Sequence, residues 1–329
     1  MPQLPEDFAP RLTAWYRLHR RDLPWRANRD PYRVWVSEIM LQQTRVEAVK
    51  SYYTRFMAAL PSVRKLAEAD EEVLMTLWAG LGYYRRARYL QQCAQTVVAD
   101  HHGRFPETAA ELRKLPGIGR YTAGAIASIA FGQAAPAVDG NVLRVLARYC
   151  ASPVDADTAE QMLLPHYRKG ECGDFTQSLM ELGATVCLPN GEPSCSACPL
   201  AGECRARKLG TPTAFPPPAV KAKRRIEQLT VLILRCGGKV ALRKRPETGV
   251  LAGLWELPNR AGEHPEWGKE FGHIAATFRS KHIFTHIEWH MLVLAVDCDR
   301  EHPEFTWSAP GARPLPGAFA KLLREAAKL

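Results

Sequence analysis

Residues 115–141 read LPGIGRYTAGAIASIAFGQAAPAVDGN, and this run restricts the chain more than any other. Pro116 presets a turn, and Gly117 and Gly119 allow positive φ and close approach by a partner's backbone. Behind the turn, Ala123, Ile126, Ala127, Ile129 and Ala130 recur at helical spacing, so the turn feeds a helix that buries one face. Successive backbone N–H groups beside a helix N-terminus suit a phosphate. The carboxylate of Asp139 follows, preceded by the apolar run Ala135-Pro136-Ala137-Val138. A phosphate-gripping hairpin followed by an acid in apolar company suggests DNA-backbone chemistry or base excision. An ordinary helix–turn–helix corner, with Asp139 as an N-cap, satisfies the same residues.

A second acid stands in similar surroundings. Asp30-Pro31 is a helix start, a cap residue followed by proline in the first turn. The helical pattern from Val34 to Leu41 carries Glu38 among Val36, Ile39 and Met40, and Gln42 shares its face at i+4. A carboxyl buried among such neighbours has a raised pKa and acts as an acid near neutral pH. The plain alternative is a solvated glutamate on a helix face. Upstream, the basic stretch 19–26 is broken by Pro24 and Trp25, which suits phosphate contact or a base pocket, or a tryptophan that closes the core. Helical segments are expected at Arg45–Leu60, Ala69–Leu77, Arg85–Asp100, Val142–Tyr149 and Phe175–Val186. Between the second and third lies Gly80-Leu81-Gly82-Tyr83-Tyr84-Arg85-Arg86. Small residues beside aromatics and arginines suit a loop that enters a duplex and fills the gap left by a displaced base. Core tyrosines at a helix–helix contact are the alternative.

The net charge of +10 favours a polyanionic partner such as nucleic acid. No apolar run reaches the roughly 20 residues that a membrane helix needs, so no membrane partner and a cytoplasmic location, nucleoid-associated if bacterial, are expected. Four of nine cysteines crowd into 187–204, as Cys187, Cys195, Cys198 and Cys204. In a reducing compartment that spacing, C-x7-C-x2-C-x5-C, favours one iron–sulfur cube over one zinc, because only one close C-x2-C pair is present. From Arg205 to Arg225 the chain has seven basic residues, no acidic ones and Pro216-Pro217-Pro218, the composition of a stiff interdomain linker. Beyond it the pattern turns to β type. Leu229–Leu234 and Val240–Leu242 flank Gly237-Gly238, and Leu254–Pro258 and Ile283–Val296 are further strand candidates. Helices are expected near Trp267–Ala276 and at Phe319–Ala327. The expected fold is therefore multidomain, with an all-α domain over 1–204, a linker over 205–225 and an α+β domain over 226–329.

Several stretches together resemble the helix–hairpin–helix DNA glycosylases with a four-cysteine [4Fe–4S] loop, and among them the adenine DNA glycosylases of the MutY type. They are LPW at 23–25, SEIMLQQT at 37–44, GLGYYRRAR at 80–88, LPGIGRYTAGA at 115–125, VDGNV at 138–142 and the four cysteines. The last domain resembles the Nudix-like domain that such enzymes use to recognise 8-oxoguanine, through RPETGVLAGLWELP at 245–258 and HIFTHIEWHM at 282–291. The resemblance implies that Glu38 is the acid that protonates adenine and that Asp139 stabilises the sugar cation, with Tyr121 supporting the site. It implies a [4Fe–4S] cluster on Cys187, Cys195, Cys198 and Cys204. DNA contacts are implied at Arg21, Leu23, Trp25, Gln42, Thr44, Tyr83, Gly117, Gly119 and Gln177. Phe284, Thr285 and His286 would read the oxidised base. The implied partner is duplex DNA with an adenine:8-oxoguanine or adenine:guanine mispair, bound by a monomer, with the linker open to a replication or repair protein.

Endonuclease III-like relatives place a lysine just after the hairpin, where its amine can form a Schiff base with the sugar. Tyr121 occupies that position here, so a hydrolytic, monofunctional enzyme is expected. Three positions depart from the family pattern: the x7 spacing after Cys187, Leu143 where some relatives have lysine, and Thr285 in place of serine. The competing readings are a bifunctional lyase, a nucleotide-hydrolysing Nudix enzyme and a non-catalytic DNA-binding protein. The second lacks the glutamate-rich helix that would hold Mg²⁺.

Overall fold

The structure is a computed structural model that describes residues 3–217 and 223–328. It divides into two units: the described residues of Met1–Ala69 with Arg88–Ala219, and those of Asp70–Ala87 with Val220–Leu329. Along the chain the first helices are α1 (Phe8–His19), α2 (Pro31–Leu41), α3 (Val46–Ala59), α4 (Val63–Ala67), α5 (Glu71–Trp78) and α6 (Arg85–Asp100). There follow α7 (Ala109–Leu112), α8 (Arg120–Ile129), α9 (Gly140–Cys150), α10 (Ala156–Leu163), α11 (Cys172–Thr185) and α12 (Arg205–Lys208). Their starts are set locally. The side chains of Asp30, Ser62, Asp70, Thr108, Asp139 and Asp155 each accept a first-turn backbone N–H, which satisfies donors that the helix itself leaves open.

In the first unit α1, α9, α10 and α11 bury Phe8, Leu12, Val142, Leu146, Leu163, Phe175 and Leu182 in one cluster. Cys187, Cys198 and Cys204 pack against its edge. Gly124 of α8 lies so close to Pro136 O that a Cβ would overlap it, so the extended segment before Asp139 rests directly on that helix. Of the expected linker, residues 218–222 lie outside the described residues; its start forms α12 and a single turn at Pro212–Ala214.

The second unit holds strands β1 (Arg225–Cys236), β2 (Lys239–Lys244), β3 (Trp255–Glu256), β4 (Asn259–Ala261), β5 (His273–Ile283), β6 (Ile287–Asp297) and β7 (Thr306–Ser308), then α13 (Gly317–Ala326). The sheet order is β3-β2-β1-β6-β5, with β4 beside β1 and β7 beside β2. Strands β1 and β6 run parallel at the centre and the other pairs are antiparallel. Odd positions of β1 and β6, such as Val231, Ile233 and Val293, face α13 through Phe319 and Leu322. Even positions, Leu232, Leu234, Leu292 and Leu294, face Trp267, Phe271, Phe305 and Trp307. A central strand buried on both faces explains the uninterrupted apolar run Val231–Leu234 in β1.

Two expectations need correction here. The helix expected over Trp267–Ala276 is one turn, Trp267–Glu270, after which β5 begins. From His273 onward exposure alternates residue by residue, the period of a strand with one face covered. The strand expected over Ile283–Val296 is instead the end of β5, a three-residue tip at 284–286 and β6.

Candidate functional site

Helix α2 presents Glu38 to the inside, where the residue is 6% exposed. Facing it from the first turn of α8, the Tyr121 hydroxyl donates to Glu38 Oε2 at 2.5 Å and also lies 3.9 Å from Met180 Sδ of α11. Burial pushes the Glu38 carboxyl up to about 7; the charge of Asp139 adds to that rise, while the Tyr121 hydrogen bond and the Arg26 charge oppose it. The Tyr121 hydroxyl is itself driven well above its ordinary range, by burial first and then by the charges of Glu38 and Asp139. It therefore stays protonated and donates. The two acids that the sequence singled out, 101 positions apart, thus act on one another across one site.

Asp139 is a helix cap as well. Its Oδ1 accepts Val142 N–H at 2.8 Å and its Oδ2 accepts the Asn141 amide at 2.7 Å. These bonds hold the carboxylate in place. They lead onward: Arg144 Nη2 donates to Asn141 Oδ1 at 2.8 Å and to Gly183 O at 2.7 Å, and Arg144 Nε donates to Cys187 O at 2.8 Å. Close approach is needed for this, because a Cβ on Gly183 would stand 2.5 Å from Asn141 Cβ.

The hairpin turns at Gly117, with φ +73°, where a Cβ would meet Tyr89 Cβ at 2.7 Å. Gly119 does not use the positive φ expected of it: its backbone is at φ −85°, ψ 178°. It is the N-cap of α8 and supplies no side-chain acceptor, so no side chain caps the first amides of that helix. Arg120, the next residue, pairs with Asp157 and Glu160 of α10.

Of the expected DNA contacts, Leu23 and Trp25 are buried and Arg21 is paired within the protein. Leu23 is 1% exposed and Trp25 7%, with Trp25 set edge-on to Tyr53, so both belong to the core. Arg21 gives its backbone N–H, Nε and Nη2 to Glu181, and Arg26 adds a further bond to that carboxylate at 2.8 Å. Burial would raise the Glu181 carboxyl, but the hydrogen bonds of the two arginines outweigh it and hold it at about 2. Asn141, Met180 and Glu181 are site neighbours that the sequence reading missed, while Arg26 lay in the basic stretch it marked. Only Asn141, two residues past Asp139, carried a local signal. Gln42 ends α2, Thr44 Oγ1 donates to Gln42 O at 3.4 Å, and Gln177 donates to Gly173 O within its own helix. All three are partly exposed.

Cys198 lies within electrostatic reach of Cys187, Cys195 and Cys204, and Cys204 of Cys187 and Cys195. The buried Arg148 points Nη1 at Cys187 Sγ, 3.3 Å away, and bonds Leu188 O at 2.8 Å. Among the described residues, no three His, Cys, Asp or Glu side chains are arranged to hold a single metal ion.

In the second unit the loop Gly80–Tyr84 is braced by Trp78 Nε1 donating to Gly82 O and by Arg86 donating to Leu81 O and Gly82 O. Tyr83 sits at φ +48°, 48% exposed, with its hydroxyl against that of Thr285. At the tip between β5 and β6, Phe284 packs edge-on against Trp289 and His282, while Thr285 and His286 are exposed. The sequence-singled residues Tyr83 and Thr285 thus meet.

Comparison with known proteins now decides the family. Residues 36–164 match the model of the HhH-GPD superfamily base excision DNA repair proteins, and residues 230–325 match that of the NUDIX domain. The human adenine DNA glycosylase is 37% identical over 93% of this chain and 69% of its own length. The chain belongs to the adenine DNA glycosylase family. Family members are DNA glycosylases, acting on N-glycosyl bonds. The adenine DNA glycosylase of Arabidopsis thaliana is 45% identical over 75% of this chain, which spans 46% of that relative's length. A solved thermostable thymine-DNA glycosylase is 29% identical with a TM-score of 0.57, covering 61% of this chain and 95% of that one. Among the described residues no helix is long and apolar enough to cross a membrane.

Proposed function

We propose that this adenine DNA glycosylase family member hydrolyses the N-glycosidic bond of adenine placed opposite 8-oxoguanine, or guanine, in duplex DNA. The observation that carries the reading is the buried Glu38 carboxyl, raised to about 7 and hydrogen-bonded by Tyr121, with the Asp139 carboxylate close enough to act on it. At neutral pH a large share of Glu38 carries a proton to give, and two donors hold the Asp139 side chain in position beside the site. Glu38 protonates a ring nitrogen of the flipped adenine. The C1′–N9 bond then breaks with its electron pair leaving on the base, and Asp139 stabilises the oxocarbenium-like sugar. Water adds to C1′ and gives its proton to the Glu38 carboxylate. Free adenine and an abasic site result, with no covalent enzyme intermediate, since Tyr121 offers no amine for a Schiff base.

Gly117, Gly119 and the uncapped start of α8 would take a DNA phosphate, and Gln42, Thr44 and Gln177 lie partly exposed for backbone contact. Tyr83, Phe284, Thr285 and His286 would meet the strand carrying the oxidised base. The four thiols suit a [4Fe–4S] cluster. They are mutually close but not gathered round one ion, and the buried guanidinium of Arg148 stands where thiolate charge would collect. When bound, that group supplies a rigid closure of the 187–204 loop. The site acts in a monomer, with the linker left as a contact point for a repair or replication protein.

The test is single-turnover cleavage of duplexes with adenine opposite 8-oxoguanine, guanine or thymine, with and without borohydride. Adenine release from the first two without a trapped adduct is expected. A borohydride-trapped adduct, or excision of an oxidised pyrimidine instead, would overturn the reading. Glu38→Gln should lose excision and keep duplex binding.

A further inference from the structure

Strands β1 and β6 pair in register from Arg225↔Ile287 to Arg235↔Asp297. One step further along both strands stand two cysteines, Cys236 and Cys298. The ladder reaches that step, because the Cys298 N–H donates to Arg235 O at 2.8 Å. Parity puts both on one side of the sheet. Leu232 and Leu234 of β1, and Leu292, Leu294 and Val296 of β6, line a single apolar face, and positions 236 and 298 continue those two rows. Cys298 packs against that face. Neighbouring strands stand about 4.8 Å apart, within the roughly 4.4–6.8 Å Cα separation that a disulfide spans. Both thiols are free and partly exposed, and each lies in the other's electrostatic field. Lys239 is the hairpin partner of Cys236 and holds its ammonium on Glu301 at 2.7 Å.

We propose that Cys236 and Cys298 form an oxidisable dithiol that a hydroperoxide closes into a cross-strand disulfide. The Cys236 thiolate attacks the peroxide, the O–O bond breaks, and a sulfenic acid forms as water (or the alcohol, from an organic peroxide) leaves. The Cys298 sulfur then attacks that sulfenyl sulfur, the S–O bond breaks, and the S–S bond forms with loss of a second water. With hydrogen peroxide the sum is two thiols plus one peroxide giving one disulfide and two waters, and a dithiol reductant reverses it. The bridge fixes the end of β6 opposite the 284–286 tip, so it leaves Phe284, Thr285 and His286 untouched.

The experiment treats the reduced full chain with hydrogen peroxide, alkylates the remaining thiols and digests it without reductant for mass spectrometry. Expected is a linked Cys236–Cys298 peptide pair, two hydrogens lighter than its parts, that disappears on treatment with dithiothreitol. In Cys298→Ser, Cys236 should be trapped by dimedone at several times the wild-type yield, because nothing resolves its sulfenic acid. The wild-type readout needs no variant and stands if a substitution impairs folding. Wild-type protein in which both cysteines remain alkylatable, or oxidise separately to sulfinic acids without a linked peptide, overturns the proposal.

Discussion

Replacing Tyr121 by Phe tests whether the tyrosine hydroxyl sets the acidity of Glu38. The ring stays, so burial, the main cause of the raised carboxyl pKa, is unchanged; what goes is the 2.5 Å hydrogen bond to Oε2. That bond stabilises the ionised form, so its loss raises the pKa further. A hydrogen bond to a charged group contributes about 1.5–3 kcal/mol, and its lower end corresponds to about one pH unit. The carboxyl midpoint is then expected to move from about 7 to about 8. An acid must be protonated to act, so the wild-type single-turnover rate should fall as pH rises through about 7 and that of the variant through about 8. At pH near 8 the protonated fraction grows from roughly a tenth to roughly a half, a difference of about fivefold before any loss of orientation. The assay is single-turnover adenine release across the neutral and alkaline range. A lower plateau with the midpoint displaced upward supports the reasoning. An unmoved midpoint, or one displaced downward, refutes it.

Three further outcomes follow from the same geometry. Asp139→Asn keeps an oxygen for the Val142 N–H and removes the charge, so helix capping should survive while the single-turnover rate falls by roughly 10²-fold or more, with unfolding and kinetics measured on the same sample. Glu181→Gln leaves Arg21 and Arg26 without their counter-charge and should cost about 3–5 kcal/mol of stability at neutral pH by denaturant unfolding. Because the native Glu181 pKa is depressed to about 2, its contribution is complete above the unfolded-state value near 4.3 and fades as pH falls toward 2; the gap between the two proteins should close over that window. Gly124→Ala drives a methyl into Pro136 O and should lower stability by about 1–3 kcal/mol, with a fall in activity as the segment before Asp139 is displaced.

Much of the fold was legible because local chemistry writes helix ends and periods plainly. Asp30-Pro31, the apolar spacing of 123–130 and the Gly237-Gly238 turn each specify their element without help from the rest of the chain. The segment 267–276 misled because its two aromatics fit one helical turn, whereas the alternation that marks β5 begins only at His273. The site was legible where a residue type is costly to place without purpose, as with Glu38 among apolar neighbours. What sits opposite such a residue was not. Glu181 binds arginines 155 and 160 positions away, and no pattern within its own helix announces them. Leu23 and Trp25 show the converse: a stretch rich in arginine reads as surface, yet its apolar members turn inward while the half-buried Arg21 pairs with the buried Glu181.

The parallel pairing of β1 with β6 has a consequence for how the second unit comes into being. Each rung joins residues 62 positions apart, as do Arg235 and Asp297. Closing a loop of that length costs on the order of 4 kcal/mol of chain entropy before any rung repays it. The centre of the sheet must wait until β6, which ends at Asp297, has left the ribosome. In that interval β1, apolar on both sides, is an open template for other chains. Folding speed, and with it yield at high expression, should therefore be limited by the arrival of β6.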